Sequence, residues 1–327
     1  MILAYSTSSA FLAPTLTSIA SALASARIDT IHLFHSGLSN KEFGLVKEVI
    51  NGMAEINLID SRPLISQYLE GSSLPQVRGN WNTYLRMFIP ELLPNESRVL
   101  YLDSDTLVVG EVEELFNLDM EGMLFAGVTD HAAKSRYANI EKPDIISSEF
   151  YINCGVLLID CDLCRKEGVL VRMLDYIELN AIDIRVADQS IINDIFRTRI
   201  KLVDIKYNYY SVLHYQRSMF TDIVLQDRSV QSNMNVSNIS ILHYVGHWFE
   251  RPWYQGAESF YRSEYMQFYE KLPLVLRISE PFKNKGFHTI YDFLMLSLRR
   301  FGLYNLEFFV RYIFMQSLKK IIKVNRK

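Results

Sequence analysis

Short apolar runs alternate with longer amphipathic stretches at the start of the chain. The runs cover residues 2–5, 31–35 and 56–59, and helical patterns near 14–26 and 41–53 separate them. Alternation of this kind predicts a βαβαβ arrangement. It is typical of a mostly parallel sheet with helices on both faces, where ligands bind beyond the carboxyl ends of the strands.

The same alternation continues for most of the chain. A helix predicted over residues 82–93 stops at Pro94, and an apolar strand over 98–102 runs into Asp103-Ser104-Asp105. Further strands are predicted at 124–129, 155–160, 201–205 and 239–245, with helices at 163–179 and 188–196. We therefore expect one Rossmann-like α/β domain over residues 1–280. Residues 281–327 form a small helical, basic C-terminal extension, with helices expected at 289–300 and 306–323.

Charge is distributed unevenly between these two regions. The net charge is −3 and the isoelectric point is about 6.2, which gives no reason to expect nucleic acid as a partner. Residues 281–327, however, hold 10 Lys or Arg against 2 acids, leaving 24 against 35 before them. The extension therefore has a different surface from the rest of the chain.

Three cysteines, Cys154, Cys161 and Cys164, are an odd number in a chain large enough to fold without disulfides. We interpret them as buried thiols in a reducing, cytoplasmic compartment. Residues 11–26 imitate a signal peptide, but they lack a basic start, and Ser and Thr interrupt them. The sequence contains no run of about 18 apolar residues, so no membrane-spanning helix is predicted.

Asp103 and Asp105 carry the first chemical signal. If the backbone remains extended after the strand, both carboxylates leave the same face and can share a cation. Hard oxygen ligands suit Mg²⁺ or Mn²⁺, which would stabilise a departing diphosphate. A solvated acidic turn remains the alternative, because Asp-x-Asp alone fits many turns.

Other motifs lie before and after these aspartates, and their order along the chain strengthens the interpretation as a metal site. They are Arg86-Met-Phe-Ile-Pro, Val99-Leu-Tyr-Leu-Asp-Ser-Asp105, Asn153-Cys-Gly-Val, Asp188-Gln189, and His243-Tyr-Val-Gly246 leading to Arg251-Pro-Trp253. Over about residues 80–255 the pattern resembles glycosyltransferase family 8, the retaining transferases that include bacterial lipopolysaccharide galactosyl- and glucosyltransferases and glycogenin.

The resemblance implies a fold of the GT-A type, which binds nucleotide sugars, and a retaining hexosyltransferase. The enzyme would transfer galactose or glucose from a UDP-sugar to a cell-surface glycan or lipid-linked saccharide. By resemblance, Asp103, Asp105 and His243 would bind Mn²⁺ or Mg²⁺, and Asp188 and Gln189 would act at the reacting sugar. A helix N-cap is the alternative for Asp188.

The resemblance also implies contacts with the substrates. Donor contacts would come from Ala4, Ser6, Arg86, Ser104, Asn153, Gly246 and Arg251, and an acceptor contact from Asp130. A helix-surface position could equally make Arg86 a salt-bridge partner. Asn153 and Asp130 could be turn residues, and a structural histidine is the alternative for His243.

Two segments depart from the family pattern. The usual His-x-x-Gly-x-x-Lys-Pro-Trp is two residues longer here, so Arg251 replaces the lysine as the expected diphosphate clamp, with a surface arginine packed on Trp253 as the alternative. After the first strand, residues 5–9 read Tyr-Ser-Thr-Ser-Ser, without the acidic residue that usually helps to bind the nucleoside.

The extension and the competing functions complete the set of hypotheses. Basic residues from Arg299 to Lys323 mix with aromatic ones, which favours peripheral contact with an anionic membrane; a helical cap or a dimer contact is the alternative. The chain has no Gly-rich phosphate loop near its first strand, which disfavours a nucleotidyltransferase. It has no Gly-x-Gly-x-x-Gly after that strand either, which disfavours an oxidoreductase that binds a dinucleotide. A non-catalytic sugar-binding scaffold with the same fold remains open.

Overall fold

A seven-stranded sheet forms the centre of the molecule. The computed structural model describes residues 1–70, 81–130, 151–180, 187–212, 236–277 and 287–303, with Leu306, Glu307 and Val310. The strand order is β3-β2-β1-β4-β7-β6-β8, and only β7 runs antiparallel to its neighbours. The strands of this sheet are β1 (Ile2–Thr7), β2 (Thr30–His35), β3 (Glu55–Asp60), β4 (Arg98–Leu102), β6 (Phe125–Thr129), β7 (Ile152–Asp160) and β8 (Ile200–Leu202). The prediction of a mostly parallel sheet is confirmed.

Helices cover both faces of this sheet. They are α1 (Leu12–Ser25), α2 (Asn40–Ile50), α3 (Arg62–Tyr68), α4 (Ile89–Leu92), α5 (Glu113–Phe116), α6 (Cys161–Lys166), α7 (Val169–Asn180), α8 (Ala187–Phe196), α9 (Arg262–Tyr269) and α10 (Phe287–Arg300). Successive strand residues point to opposite faces: Leu3 and Tyr5 pack in the core with α1 and α2, whereas Ala4 packs in the core with α4, α6, α7 and α8. The apolar strands read as continuous runs because both faces are buried.

A smaller sheet fixes the geometry of the later motifs. It consists of β5 (Thr106–Val108), β9 (Tyr209–Tyr210) and β10 (Ile241–His243), in the order β5-β10-β9. β10 pairs antiparallel with β5, so that His243 lies opposite Thr106. This pairing brings the histidine beside the aspartates that precede β5, although about 140 residues separate them in the sequence.

Two predicted helices differ from expectation. Residues 82–93 form a 3₁₀ helix, Asn82–Phe88, followed by the single turn of α4. Pro90 lacks the N–H that would continue an α-helix to the Arg86 carbonyl, which instead accepts from Ile89. The helix predicted over 163–179 is divided into α6 and α7 at Gly168, whose φ of +60° ends the first helix.

The predicted strands over 201–205 and 239–245 are shorter than expected. β8 ends at Leu202, and Asp204 then accepts a hydrogen bond from the Lys206 N–H and begins a 3₁₀ turn. β10 covers only Ile241–His243. His243 therefore stands at the end of its strand, where its side chain can face a ligand.

The C-terminal helix α10 confirms the helix predicted at 289–300. The second predicted helix, 306–323, lies almost wholly outside the described residues, and the expected boundary at 280 falls between residues 277 and 287, also outside them. Among the helices that the structure describes, none has the length and apolar character needed to cross a bilayer. All three cysteines are buried free thiols, as predicted, and burial raises the pKa of Cys161 to about 12.

Candidate active site

The motif residues converge at one edge of the large sheet. β4 ends at this edge and β7 begins there, because the two strands are antiparallel and Leu102 lies opposite Val156. The Asp103 N–H donates to the Gly155 carbonyl at 2.7 Å. The start of α8 reaches the same edge, since Gln189 contacts Asn153. The sheet topology therefore assembles the site predicted from four separate segments.

Asp103, Asp105 and His243 lie together at this edge. Their ligand atoms lie within 4.8 Å of one another, with His243 Nε2 at 3.2 Å from Asp105 Oδ1 and 3.9 Å from Asp103 Oδ2. The argument that both carboxylates leave the same face assumed an extended backbone after β4, but the backbone is not extended there. Asp103 begins a turn in which its carbonyl accepts from the Thr106 N–H at 3.2 Å, and this turn brings the carboxylates together.

Asn208 sets the tautomer of His243. The Asn208 amide nitrogen donates to Asn153 Oδ1 at 2.9 Å, which leaves its carbonyl oxygen to accept from His243 Nδ1 at 2.8 Å. With the proton on Nδ1, the Nε2 lone pair faces the two carboxylates. An imidazole held in this way is typical of a metal ligand.

The donor set fits a divalent cation. Two carboxylates and one imidazole converge, and metal–oxygen bonds of about 2.1 Å place ligand atoms up to about 4.2 Å apart, so that small side-chain rotations would close the site. Tyr101 supports it by donating its hydroxyl to Asp103 Oδ1 at 2.9 Å. These residues could hold Mn²⁺ or Mg²⁺.

Gly155 provides the space in which these ligands meet. A Cβ atom at this position would lie 2.3 Å from His243 Cε1 and 2.8 Å from Asp103 Oδ2. Those separations are far below van der Waals contact, so any side chain at Gly155 would displace the imidazole or the carboxylate. The glycine is thus a steric requirement of the site.

Arg86 lies beneath the site and not on a helix surface. Only 7% of the residue is exposed, and its guanidinium stacks 4.8 Å from the Tyr101 ring centroid, lies 3.5 Å from Asp103 Oδ1, and contacts Asp188 and the Cys154 carbonyl. The 3₁₀ helix Asn82–Phe88 directs it inward, so that it pairs with carboxylates inside the protein and not on a helix surface. Burial alone would lower the pKa of Arg86, but the carboxylates of Asp103 and Asp188 raise it overall.

Asp188 is held by both Arg86 and its own helix. It is 1% exposed, and the backbone N–H groups of Asp188 and Gln189 bond to its carboxylate. These bonds resemble the helix-capping alternative, although Asp188 is the second residue of α8 and not its N-cap. Burial raises the pKa of Asp188 to about 7, against the opposing effects of Arg86 and these N–H groups. Ala187, just before it, has a φ of +48°. This conformation costs a non-glycine residue about 1–2 kcal/mol.

Gln189 connects the predicted sugar-binding residues. Its amide nitrogen donates to Asp130 Oδ2 at 2.9 Å, and its carbonyl oxygen accepts from Asn153 Nδ2 at 3.1 Å and from the Cys154 N–H at 3.3 Å. Both Gln189 and Asp130 are buried. The amide orientation is therefore fixed from both sides, and the structure brings all three predicted residues together.

The segment after β10 carries Gly246 and Arg251. Gly246 has a φ of +125°, and a Cβ there would lie 2.2 Å from Glu250 Oε2. The glycine is therefore required by the fold of the segment itself. Arg251 is buried, with Nη2 3.5 Å from Asp105 Oδ2 and its guanidinium 5.6 Å from the Trp253 ring. It lies beside Asp105 of the candidate cation site and not on the surface.

The three donor contacts predicted near β1, at Ser6, Ser104 and Ala4, differ from one another in exposure. Ser104 donates its hydroxyl to the Ser6 carbonyl at 2.8 Å, and the Ser6 hydroxyl donates to the Asn82 carbonyl at 3.4 Å. Both serines are partly exposed at the edge. Ala4 has 0% exposure inside β1, where its side chain cannot reach a ligand, and its assignment has no support from this geometry.

Four residues that complete the site were not singled out from the sequence: Tyr101, Gly155, Asn208 and Glu250. Gly155 belongs to the Asn-x-Gly-Val motif, so a signal for it was present. Tyr101 reads as one more aromatic residue of an apolar strand. Asn208 carries no local signal, because its role depends on β9 and β10 lying side by side.

A mostly parallel sheet with a two-aspartate, one-histidine cluster at its edge defines a protein of the GT-A type. Comparison with known sequences then identifies the family: the chain belongs to glycosyl transferase family 8, whose model matches residues 2–256. The resemblance seen in the motifs is therefore confirmed.

Individual relatives are more distant. Glycosyltransferase GlyE of Streptococcus pneumoniae is 28% identical over 232 residues, 69% of this chain and 50% of that protein. The lipopolysaccharide 1,3-galactosyltransferase of Salmonella typhimurium is 27% identical over 191 residues, 56% of this chain and 52% of that protein. The chain thus spans about half the length of these curated relatives.

Among solved structures, the galactosyltransferase LgtC in complex with donor and acceptor sugar analogs is similar in fold. The TM-score is 0.70 at 22% sequence identity, over 85% of this chain and 99% of that chain. This likeness confirms the predicted fold class.

Proposed function

We propose that this protein is a metal-dependent, retaining hexosyltransferase that transfers galactose or glucose from a UDP-sugar to a saccharide acceptor. The observation that carries the proposal is the convergence of Asp103, Asp105 and His243 beside the Asn153–Gln189–Asp130 network. Family membership and the fold shared with LgtC, which was solved with donor and acceptor sugar analogs, support it.

The order of strands indicates how a donor would lie. The cation ligands stand at the end of β4, and the amide and carboxylate groups for the sugar stand toward β7 and β6. The nucleoside would then extend in the other direction, over Ser104 and Ser6 near β1. Arg251 lies beside Asp105, where its positive charge would meet the diphosphate.

The chain's own groups favour a same-face substitution over a glycosyl–enzyme intermediate. Asp188 is held by Arg86, and Asp130 accepts from Gln189, so both carboxylates are already engaged within the network. Gln189 would steady the sugar as positive charge develops at its anomeric carbon, and Asp130 would orient a hydroxyl of the acceptor. A bound divalent cation would supply charge stabilisation for the departing diphosphate.

Release of UDP tests this proposal. The full-length protein should release UDP from UDP-galactose or UDP-glucose in Mn²⁺ or Mg²⁺, and faster with a suitable acceptor saccharide. Removing the metal with EDTA should stop the release, and adding it back should restore it. If UDP-sugars bind without any turnover in a panel of donors and acceptors, the protein is a sugar-binding scaffold. If neither UDP nor a UDP-sugar binds, the proposed donor class is wrong.

We also propose that the acceptor is a cell-surface glycan or lipid-linked saccharide and that the C-terminal extension attaches to the cytoplasmic face of an anionic membrane. The excess of basic residues in 281–327 supports this, together with exposed apolar side chains of α10 and the residues after it, such as Phe293 and Phe301. Arg299 was expected to belong to the membrane-binding surface. It does not, because it is 3% exposed and ion-paired within the protein.

Membrane attachment leads to a prediction about the exposed aromatics. Changing both Phe293→Ser and Phe301→Ser should lower binding to vesicles containing anionic lipid by at least about tenfold, because each phenylalanine loses about 1.5–3 kcal/mol of apolar transfer. Sedimentation with vesicles measures this. Leu179→Ser, an equally exposed apolar residue on α7, is the matched control and should bind as the wild type does. Equal sedimentation of wild type and double variant would contradict the attachment.

A further inference from the structure

The two-residue extension of the motif after His243 is covered by the C-terminal helix. The segment His247–Glu250 forms a capped 3₁₀ turn between Gly246 and Arg251. Trp248 Nε1 donates to Asp292 Oδ2 of α10 at 2.8 Å. His247 stacks on Phe249, with ring centroids 5.4 Å apart and planes within 4°. The added residues therefore have a specific partner in α10.

Glu250 is the centre of this contact. Only 2% of it is exposed, its Oε2 accepts from the His247 N–H at 2.6 Å, and its Oε1 accepts from Arg299 Nη2 at 2.9 Å. The same carboxylate occupies the space where a side chain of residue 246 would be. Glu250 thus determines the path of the segment between the histidine ligand and Arg251.

Arg299 fixes Glu250 from the side of α10. Its guanidinium also bonds both oxygens of Glu307, at 3.0 and 3.1 Å, and the Glu258 carbonyl at 2.8 Å, and lies 4.9 Å from the Phe249 ring. A buried arginine between two buried carboxylates is strongly oriented, because leaving either charge unpaired in the interior is costly.

The other end of the segment is attached to the cation site. The Tyr244 N–H donates to the Asp105 carbonyl at 2.8 Å, and Arg251 Nη2 lies 3.5 Å from Asp105 Oδ2. Residues 244–251 therefore span directly from a cation ligand to the Glu250–Arg299 pair. A change in the position of Glu250 would reach Gly246 and Arg251, because only short backbone connections separate them.

We infer that Arg299 and Glu250 are positioning residues, through which the C-terminal helix holds the Gly246–Arg251 segment in place to bind the diphosphate of the donor. The inference rests on the proposed function, because it gives that segment a nucleoside diphosphate ligand. It adds a role for the C-terminal extension inside the donor site, separate from any membrane contact.

Binding of UDP in the presence of MnCl₂ to the full-length protein tests this role, with calorimetry for the dissociation constant and thermal unfolding measured in parallel. Arg299→Met should raise the dissociation constant by about 10–100-fold, the range for residues that orient ligands from behind. Arg299→Lys should recover part of the affinity, because it keeps the charge but loses the fork. The neighbouring Arg300→Ala, which removes an exposed pair with Glu258, should bind within about twofold of wild type.

Trp248→Phe provides a second variant in case Arg299→Met does not fold. It keeps an aromatic ring and removes the hydrogen bond to Asp292 together with part of the indole, and the dissociation constant for UDP should rise roughly fivefold. If folded Arg299→Met binds UDP with wild-type affinity, or if Trp248→Phe does so where Arg299→Met does not fold, the inference is overturned, whatever the melting temperatures. Failure of the wild-type protein itself to bind UDP with Mn²⁺ would instead remove the proposed function.

Discussion

Replacing either Asp103 or Asp105 by asparagine is expected to lower sugar transfer by roughly a thousandfold or more, about 4 kcal/mol of transition-state stabilisation. Each change removes one of only two carboxylates in the cluster and keeps the shape of the side chain. The lost negative charge weakens the hold on a divalent cation, and the departing diphosphate then lacks its counter-charge. Rates of UDP release and of glycan formation, measured across a range of MnCl₂ concentrations, check this result.

The effect should differ from a general loss of structure. Asp175→Asn removes an exposed carboxylate on α7 and serves as the matched control, with transfer near the wild-type rate. Calorimetric titration with Mn²⁺ should show weakened binding for Asp103→Asn and Asp105→Asn alone. Wild-type transfer by either variant in EDTA-treated buffer would rule out the assigned role of this cluster.

The architecture could be predicted from the sequence where local patterns determine it. The alternation of runs and amphipathic stretches over the first sixty residues gives the bounds of β1, α1, β2, α2 and β3 to within three residues, since burial on both faces leaves a continuous apolar signature. The direction of β7 could not be predicted in this way, because an apolar run looks the same in a parallel and an antiparallel strand.

The candidate site was predictable for a different reason. Asp103, Asp105, Asp188, Gln189 and His243 stand in motifs whose order resembles the family, and the structure brings them to one edge. The two-residue spacing of Asp103 and Asp105 predicted that an extended strand would place both carboxylates on one face. The two carboxylates do converge, but a turn brings them together.

Residues that support the site from distant positions in the sequence could not be predicted. Asn208 orients His243 from 35 positions away, and Arg299 contacts Glu250 from 49 positions away. Neither pair has a periodicity or spacing that a local pattern could reveal. Their contacts depend on the packing of β9 against β10 and of α10 against the domain, which only the folded structure specifies.

Arg86→Ala is expected to destabilise the protein by about 3–5 kcal/mol, the cost of leaving a buried charge without its partner. Asp188 is 1% exposed and directly contacts this guanidinium, and Asp103 lies 3.5 Å from it. Without Arg86, the buried Asp188 carboxylate loses its cationic partner, and nothing offsets its repulsion by Asp103. Denaturant-induced unfolding, followed by tryptophan fluorescence, measures the free energy of unfolding of each variant.

A double-mutant cycle separates the ion pair from the loss of packing. In Arg86→Met with Asp188→Asn, no buried charge remains uncompensated at Asp188, so the double variant should be more stable than Arg86→Ala or Arg86→Met alone. Arg199→Ala is the control, since its bidentate pair with Glu167 is partly exposed and its loss should change the free energy of unfolding much less. Additive effects of Arg86→Met and Asp188→Asn would show that the pair is not coupled. Arg86 would then act at the donor site alone, without a structural role for the pair beneath it.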